Sequence, residues 1–96
     1  MFRISLLDTP HDRHLIIEGK LDRSCAEEVR RIWNDTKRNV LDRRIVIDVA
    51  GVTFISCQCK EHLSKLMLEG AIFQGGGVNV RDLLQKLGAC FQNPRA

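Results

Sequence analysis

Phe2, Ile4 and Leu6 alternate with Arg3 and Ser5 at the start of the chain. That period of two predicts a strand over residues 2–7 with one buried face. "DTPHDR", residues 8–13, gathers Thr, Pro and two Asp, so the chain turns there. "HLIIEGKL", residues 14–21, predicts a second strand, antiparallel to the first because the connection is short. Gly19 within it predicts a bulge or the close approach of another backbone.

After Asp22 the period changes. Ala26, Val29, Ile32, Trp33 and Val40 fall close to one helical face, with Glu27, Glu28, Arg30 and Arg31 largely on the other. Ser24 followed by Glu27 reads as a capping box that starts this helix. Glu27 and Arg31, four apart, have the favourable orientation for an ion pair. Trp33 sits at a core spacing, as an anchor rather than a platform for a ligand. Ile45, Val46, Ile47 and Val49 are then nearly continuous, which predicts a strand covered on both faces. A strand, a helix and another strand imply a right-handed crossover and parallel pairing.

A second helix is expected from about Cys57 to Glu69. Cys59, Leu63, Leu66, Met67 and Gly70 would be its buried stripe, with Lys60, Glu61, Ser64 and Lys65 facing water. "GAIF" predicts a short fourth strand and "QGGG" a loop. "VNVRDLLQKLG" predicts a third helix, capped by Asn79, with Val80, Leu83, Leu84 and Leu87 inside. The tail, 88–96, is expected to fray after Gly88. The order is β-β-α-β-α-β-α, an α/β layer of about three helices on a mixed four- or five-stranded sheet. In 96 residues there is room for one core, so 1–96 reads as a single domain.

Composition narrows the partners. Apolar residues at 44% and charged residues at 28% suit a soluble globular chain. The net charge of +3 is mild, and "RSCAEEVRRIWNDTKR" intersperses both signs rather than forming a basic stripe. With no Tyr and one Trp to stack on bases, nucleic acid is not an expected partner. "MFRISLLDTP" is too short an apolar run for a signal peptide or a membrane span of about 20 residues. The expectation is therefore a cytoplasmic protein without direct membrane insertion, its Cys25, Cys57, Cys59 and Cys90 kept as thiols.

Few residues offer chemistry. Cys57, Cys59 and His62 are three soft ligands within six residues. A structural zinc site wants four, normally in two pairs, and Cys59 falls on the core face, so no metal is expected. Cys57 would stand at a helix N-terminus, which favours a thiolate, but no base or orienting partner accompanies it. Gly75, Gly76 and Gly77 lack the Gly-Lys-Ser/Thr ending of a phosphate loop and read as a turn. Asp22 and Asp48 read as caps or loop acceptors. With no catalytic residue and no cofactor to assign, these features point to a binding module rather than an enzyme.

"EGKLD" (Glu18 to Asp22), "IVIDVAGVTFIS" (Ile45 to Ser56) and "EGAIF" (Glu69 to Phe73) occur in an order that resembles the STAS family, the anti-sigma factor antagonists (anti-anti-sigma factors) and their relatives. The resemblance covers about residues 2 to 88. In phosphorylatable members of that family a Phe-Ile-like pair is followed by Asp-Ser-Ser/Ala-Gly and then Leu. The first Ser takes phosphate from a partner kinase that is also an anti-sigma factor, and roughly two added negative charges break the complex. Aligning on Phe54, Ile55 and Leu63 puts Ser56 at the Asp, Cys57 at the phosphoacceptor, Gln58 at the small residue and Cys59 at the Gly. All four differ. Sliding the alignment by one offers Ser56 as acceptor but costs Leu63 its register, and Ser56 is also placed to cap the second helix.

The resemblance thus implies a degenerate phosphosite and docking loop at Ser56, Cys57, Gln58 and Cys59. Phe54, Lys60, Glu61, Lys65 and Leu68 would bind the partner, an anti-sigma factor or serine kinase-like protein in bacterial transcription signalling. Two other readings stay open: an accessory subunit on the ATPase of a lipid-transport ABC complex, and a small-ligand or anion sensor using the helix-two N-terminus. A homo-oligomer also stays open.

Overall fold

The period-two opening forms β1 (Phe2–Asp8) in a computed structural model that describes residues 2–39 and 44–91. β1 runs antiparallel to β2 (Asp12–Leu21), setting Ile4 opposite Ile17 and Leu6 opposite Leu15. Thr9 closes the turn between them, its Oγ1 accepting the Asp12 N–H at 2.9 Å. The bulge expected at Gly19 is present: φ is +95° and the pairing with the next strand shifts register on both sides of it.

Helix α1 (Arg23–Asn39) starts two residues earlier than the capping-box reading requires. Its cap is Asp22, whose Oδ1 accepts the Cys25 N–H at 2.9 Å, and Ser24 lies exposed inside the first turn. The charge pairing changes with it. Glu27 meets Arg23 at 3.6 Å, while Arg31 donates through Nε to Glu28 at 3.0 Å, so the expected Glu27–Arg31 pair is replaced. Ala26, Val29 and Trp33 are buried as the periodicity requires, and Ile32 packs at the margin of the core. Val40 lies outside the described residues. Trp33 anchors the core and uses its polar handle, donating Nε1–H to Glu69 Oε1 at 2.9 Å.

Strand β3 (Arg44–Ile55) pairs parallel with β2, and β4 (Ile72–Gln74) parallel with β3. Between β3 and β4 lie a 3-10 turn, Cys57–Cys59, and helix α2 (Lys60–Leu68). Helix α3 (Val78–Leu87) follows, then β5 (Cys90–Phe91), parallel to β4. The sheet order is β1-β2-β3-β4-β5. Successive right-handed crossovers that step in one direction place their helices on one face. Leu15, Ile17, Ile45, Ile47, Val49 and Phe73 supply the sheet side of that core, and Val29, Trp33, Leu63, Leu66 and Leu84 the helix side.

The helical layer therefore covers one face of β3, not two. Val46 keeps the strand's apolar run continuous: it is fully buried on the other face, opposite His14 and Ile72, and apart from the helix-side cluster. Three smaller expectations also change. Gly70 is exposed with φ +102°, ending α2 rather than lining its buried stripe. The N-cap of α3 is Gly77, in extended conformation, and Asn79 sits within the first turn. The chain does not fray at Gly88. Gly88 closes α3 at φ +106°, and the chain then pairs as β5, with the Phe91 and Phe73 rings 6.1 Å apart. Residues 92–96 of the expected tail lie outside the described residues.

Candidate functional site

The end of β3 is fastened to the end of β2. The Ser56 N–H donates to the Leu21 carbonyl at 2.9 Å, and Thr53 Oγ1 donates to the Gly19 carbonyl at 3.3 Å. Ser56 then caps the 3-10 turn. Its φ of −71° and ψ of 142° are extended, and its Oγ accepts the Gln58 N–H at 3.2 Å. Cys59 turns inward and is fully buried. Its Sγ lies 2.9 Å from the Ser56 carbonyl oxygen and 3.2 Å from that of Leu21, so one thiol proton serves both strands' ends. Burial pushes this thiol's pKa up, which keeps the proton in place.

This geometry divides the four-residue loop. Cys57 and Gln58 point to solvent, Ser56 is half-buried, and Cys59 is a structural residue out of reach of any partner. Its assignment to a docking loop is corrected on that ground. Cys57 and Cys59 also face apart, and among the described residues no three His, Cys, Asp or Glu groups converge as a metal site would need. Cys25, buried beside Asp22, has its pKa pushed up to about 12 by burial first and by that carboxylate second. Asp48 accepts the Ala50 N–H at 2.9 Å, so, like Asp22, it serves its own backbone.

On α2, Glu61, Lys65 and Leu68 follow one another at i, i+4 and i+7 and are all exposed. Glu61 and Lys65 pair at 3.7 Å. Leu68 is 88% exposed. It stands about 12 Å along the helix axis from Lys60, at the far end of a ridge that starts at Cys57. Lys60 is half-buried.

A groove of about 260 Å³ flanks Phe54 on its other side, between Thr53, Phe54 and Ile55 of β3 and Asn79, Val80 and Leu83 of α3. Phe54 is 55% exposed, and Val78, next to Asn79, is 84% exposed. The glycine run makes this approach. Gly75 has φ +76°, and a Cβ there would stand 3.0 Å from the Cβ of Ala50 and 3.2 Å from its backbone. Arg81 braces the same turn, donating Nη1–H to the Gly75 carbonyl at 3.2 Å while its guanidinium lies 4.2 Å from the centre of the Phe91 ring. The α3 wall of the groove is absent from the sequence expectation. One signal for it exists: Val78, like Leu68, is apolar yet falls off its helix's buried stripe.

No protein-family model matches this chain, and no curated protein sequence does. Solved structures do. The anti-sigma factor antagonist SpoIIAA, in its unphosphorylated form, is similar over 97% of this chain and 88% of its own, at 15% identity and a TM-score of 0.71. A serine-to-glutamate variant of RsbS from Moorella thermoacetica is similar over 94% of this chain and 86% of its own, at 18% identity and a TM-score of 0.71. An uncharacterised protein of the DUF3478 family from Shewanella loihica PV-4, described as having a SpoIIAA-like fold, matches over 99% and 86%, at 16% identity and a TM-score of 0.61. The chain has the STAS fold of the anti-sigma factor antagonists: a mixed five-stranded sheet with three helices among the described residues. No helix among the described residues is long and apolar enough to cross a membrane.

Proposed function

We propose that this protein is a non-catalytic, cytoplasmic interaction module that docks a protein partner through the β3–α2 junction and the groove beside it. The observation that carries this reading is Phe54. A large aromatic ring left 55% exposed, at the mouth of an apolar groove and one residue from the fastened end of β3, is a ready anchor for a partner. Cys57, Gln58, Glu61, Lys65 and Leu68 continue the surface along α2, and Val78 extends it on α3. The likeness of fold to SpoIIAA supports an anti-sigma factor or serine kinase-like protein as the partner.

Phosphate control would be lost at this junction. Cys57, at the position of the family's acceptor serine in the ungapped alignment, is exposed but carries a thiol, and Ser56 spends its Oγ on the Gln58 amide. The complex would then form independently of ATP, as a constitutive regulator does.

The test is capture from native cells by the tagged wild-type chain, by Phe54→Ser and by Cys57→Asp. A partner held by the wild type, and lost by about tenfold or more in affinity with either substitution, is the expected result. Retention of that partner at full affinity by both variants would place docking elsewhere. Capture of a membrane ATPase instead would move the reading to a transport accessory subunit, and phosphate on Ser56 would restore the switch.

A further inference from the structure

Five large apolar side chains are exposed among the described residues: Phe54, Leu68 and Val78 around the junction, and Leu6 and Leu7, adjacent on β1. The second group lies on the outer strand of the sheet, away from the proposed docking surface. β1 is an edge: β2 pairs with one side of it, and no described strand pairs with the other. Edge strands are ordinarily blunted by a bulge, a proline, an inward lysine or short length. β1 has none of these. Its seven residues pair with β2 in unbroken register, without Pro or Lys, and its charged residues are confined to Arg3 and Asp8. On the opposite edge, β5 comprises two described residues, Cys90–Phe91.

We propose that β1 pairs antiparallel with β1 of a second copy of this chain, about a two-fold axis at Ser5, joining two sheets into one. The strand is self-complementary in that register. All seven residues find an opposite number, and Ile4 lies across from Leu6 twice, once on each side of the axis. Leu6, 49% exposed alone, is then covered on the helix side of the sheet. On the other side Leu7, 55% exposed, receives the aliphatic stem of the second copy's Arg3. The Asp8 carboxylate is already held by Arg13 of its own chain, 2.7 Å from Nε, so Arg3 is the charge of β1 that bears on orientation. The antiparallel register keeps the two Arg3 side chains at opposite ends of the interface, whereas an in-register parallel copy would set them side by side. The interface is a single strand wide, so the dimer is weak and concentration-dependent. It leaves both Phe54 grooves open, so a dimer presents two docking surfaces to a partner.

Sedimentation equilibrium of the purified chain tests this at rising concentration, with amide hydrogen exchange on the same samples. The expected mass rises from 10.9 kDa toward twice that value, and β1 amides gain protection in step with it. Leu6→Lys acts at two places per dimer and weakens association by about tenfold or more. Leu7→Lys, which faces Arg3 of the second copy, does the same from the opposite face and covers the case in which Leu6→Lys disturbs folding. Phe54→Ser leaves association unchanged. A mass of one chain at every concentration overturns the proposal, and so does a dimer that Phe54→Ser abolishes while Leu6→Lys and Leu7→Lys do not.

Discussion

The Sγ of Cys59 stands 3.2 Å from the carbonyl oxygen of Leu21, across the gap between the turn after β3 and the end of β2. A buried thiol thus sets where the outward residues Cys57 and Gln58 sit. Cys59→Ala removes the sulfur's packing and its shared hydrogen bond, and is expected to cost about 1–2 kcal/mol in urea denaturation. Cys57→Ala, two residues away but exposed, is expected to change stability by less than about 0.5 kcal/mol.

Thiol reactivity separates the cysteines. Cys57 and Cys90 are exposed, and Cys25 and Cys59 are buried. A thiol reagent is expected to titrate two groups rapidly in the folded protein and the other two only at the rate of unfolding or opening. A slow phase of one group, or none, contradicts the buried placement.

The same burial gives stability a sign on the alkaline side. The Cys25 pKa rises from 9.0 to about 12, so the folded state favours the protonated thiol more than the unfolded chain does. That contribution is fully present below the unfolded value and erodes as the pH climbs from about 9 toward 12. Cys59 acts in the same direction. Thermal melts at stepped alkaline pH are expected to fall through this window, and the slope should lessen in Cys25→Ala once its lower starting stability is subtracted.

Capping tests where α1 begins. Asp22→Ala is expected to cost about 1 kcal/mol and Ser24→Ala only a few tenths, measured by chemical denaturation. The reverse order would return the helix to the capping-box start read from Ser24 and Glu27.

Gly75 links stability to the docking surface. Its φ of +76° strains any side chain, and a Cβ would fit only tightly at 3.2 Å from the Ala50 backbone, so Gly75→Ala is expected to cost about 1–3 kcal/mol. Because the turn holds the first residues of α3 beside Phe54, partner affinity should fall with it. Unchanged affinity in a folded Gly75→Ala protein would argue that the α3 wall takes no part in docking.

The features legible in the sequence are those set by local period. Alternation marked β1, and the stripes of Val29 and Trp33, of Leu63 and Leu66, and of Val80 and Leu84 marked the helical faces, because burial recurs at a fixed spacing whatever the tertiary context. What was missed depends on contacts between distant segments. Val46 looks like a residue beneath a second helical layer until the crossovers are seen to step one way. β5 carries too few residues to show a period. The groove joins Phe54 to Leu83, residues separated in the chain by α2 and β4, through a turn in which Gly75 and Gly76 both have positive φ. At the junction, Ser56 was legible as a cap, but it caps the 3-10 turn; α2 begins only at Lys60, with Cys59 as its N-cap, because the turn comes between. Cys59 was legible as core by its helical spacing and as loop by its place in the motif, and the first reading is the correct one.

Docking at the junction beside Phe54 would leave its footprint on the backbone amides there. Hydrogen exchange on the isolated chain and on its complex with the captured partner reads that footprint. New protection is expected at 53–58 and 78–83, with the outer residues of α2 following, and none confined to β1. Protection that leaves 53–58 unchanged while appearing elsewhere on the sheet would contradict docking at the junction.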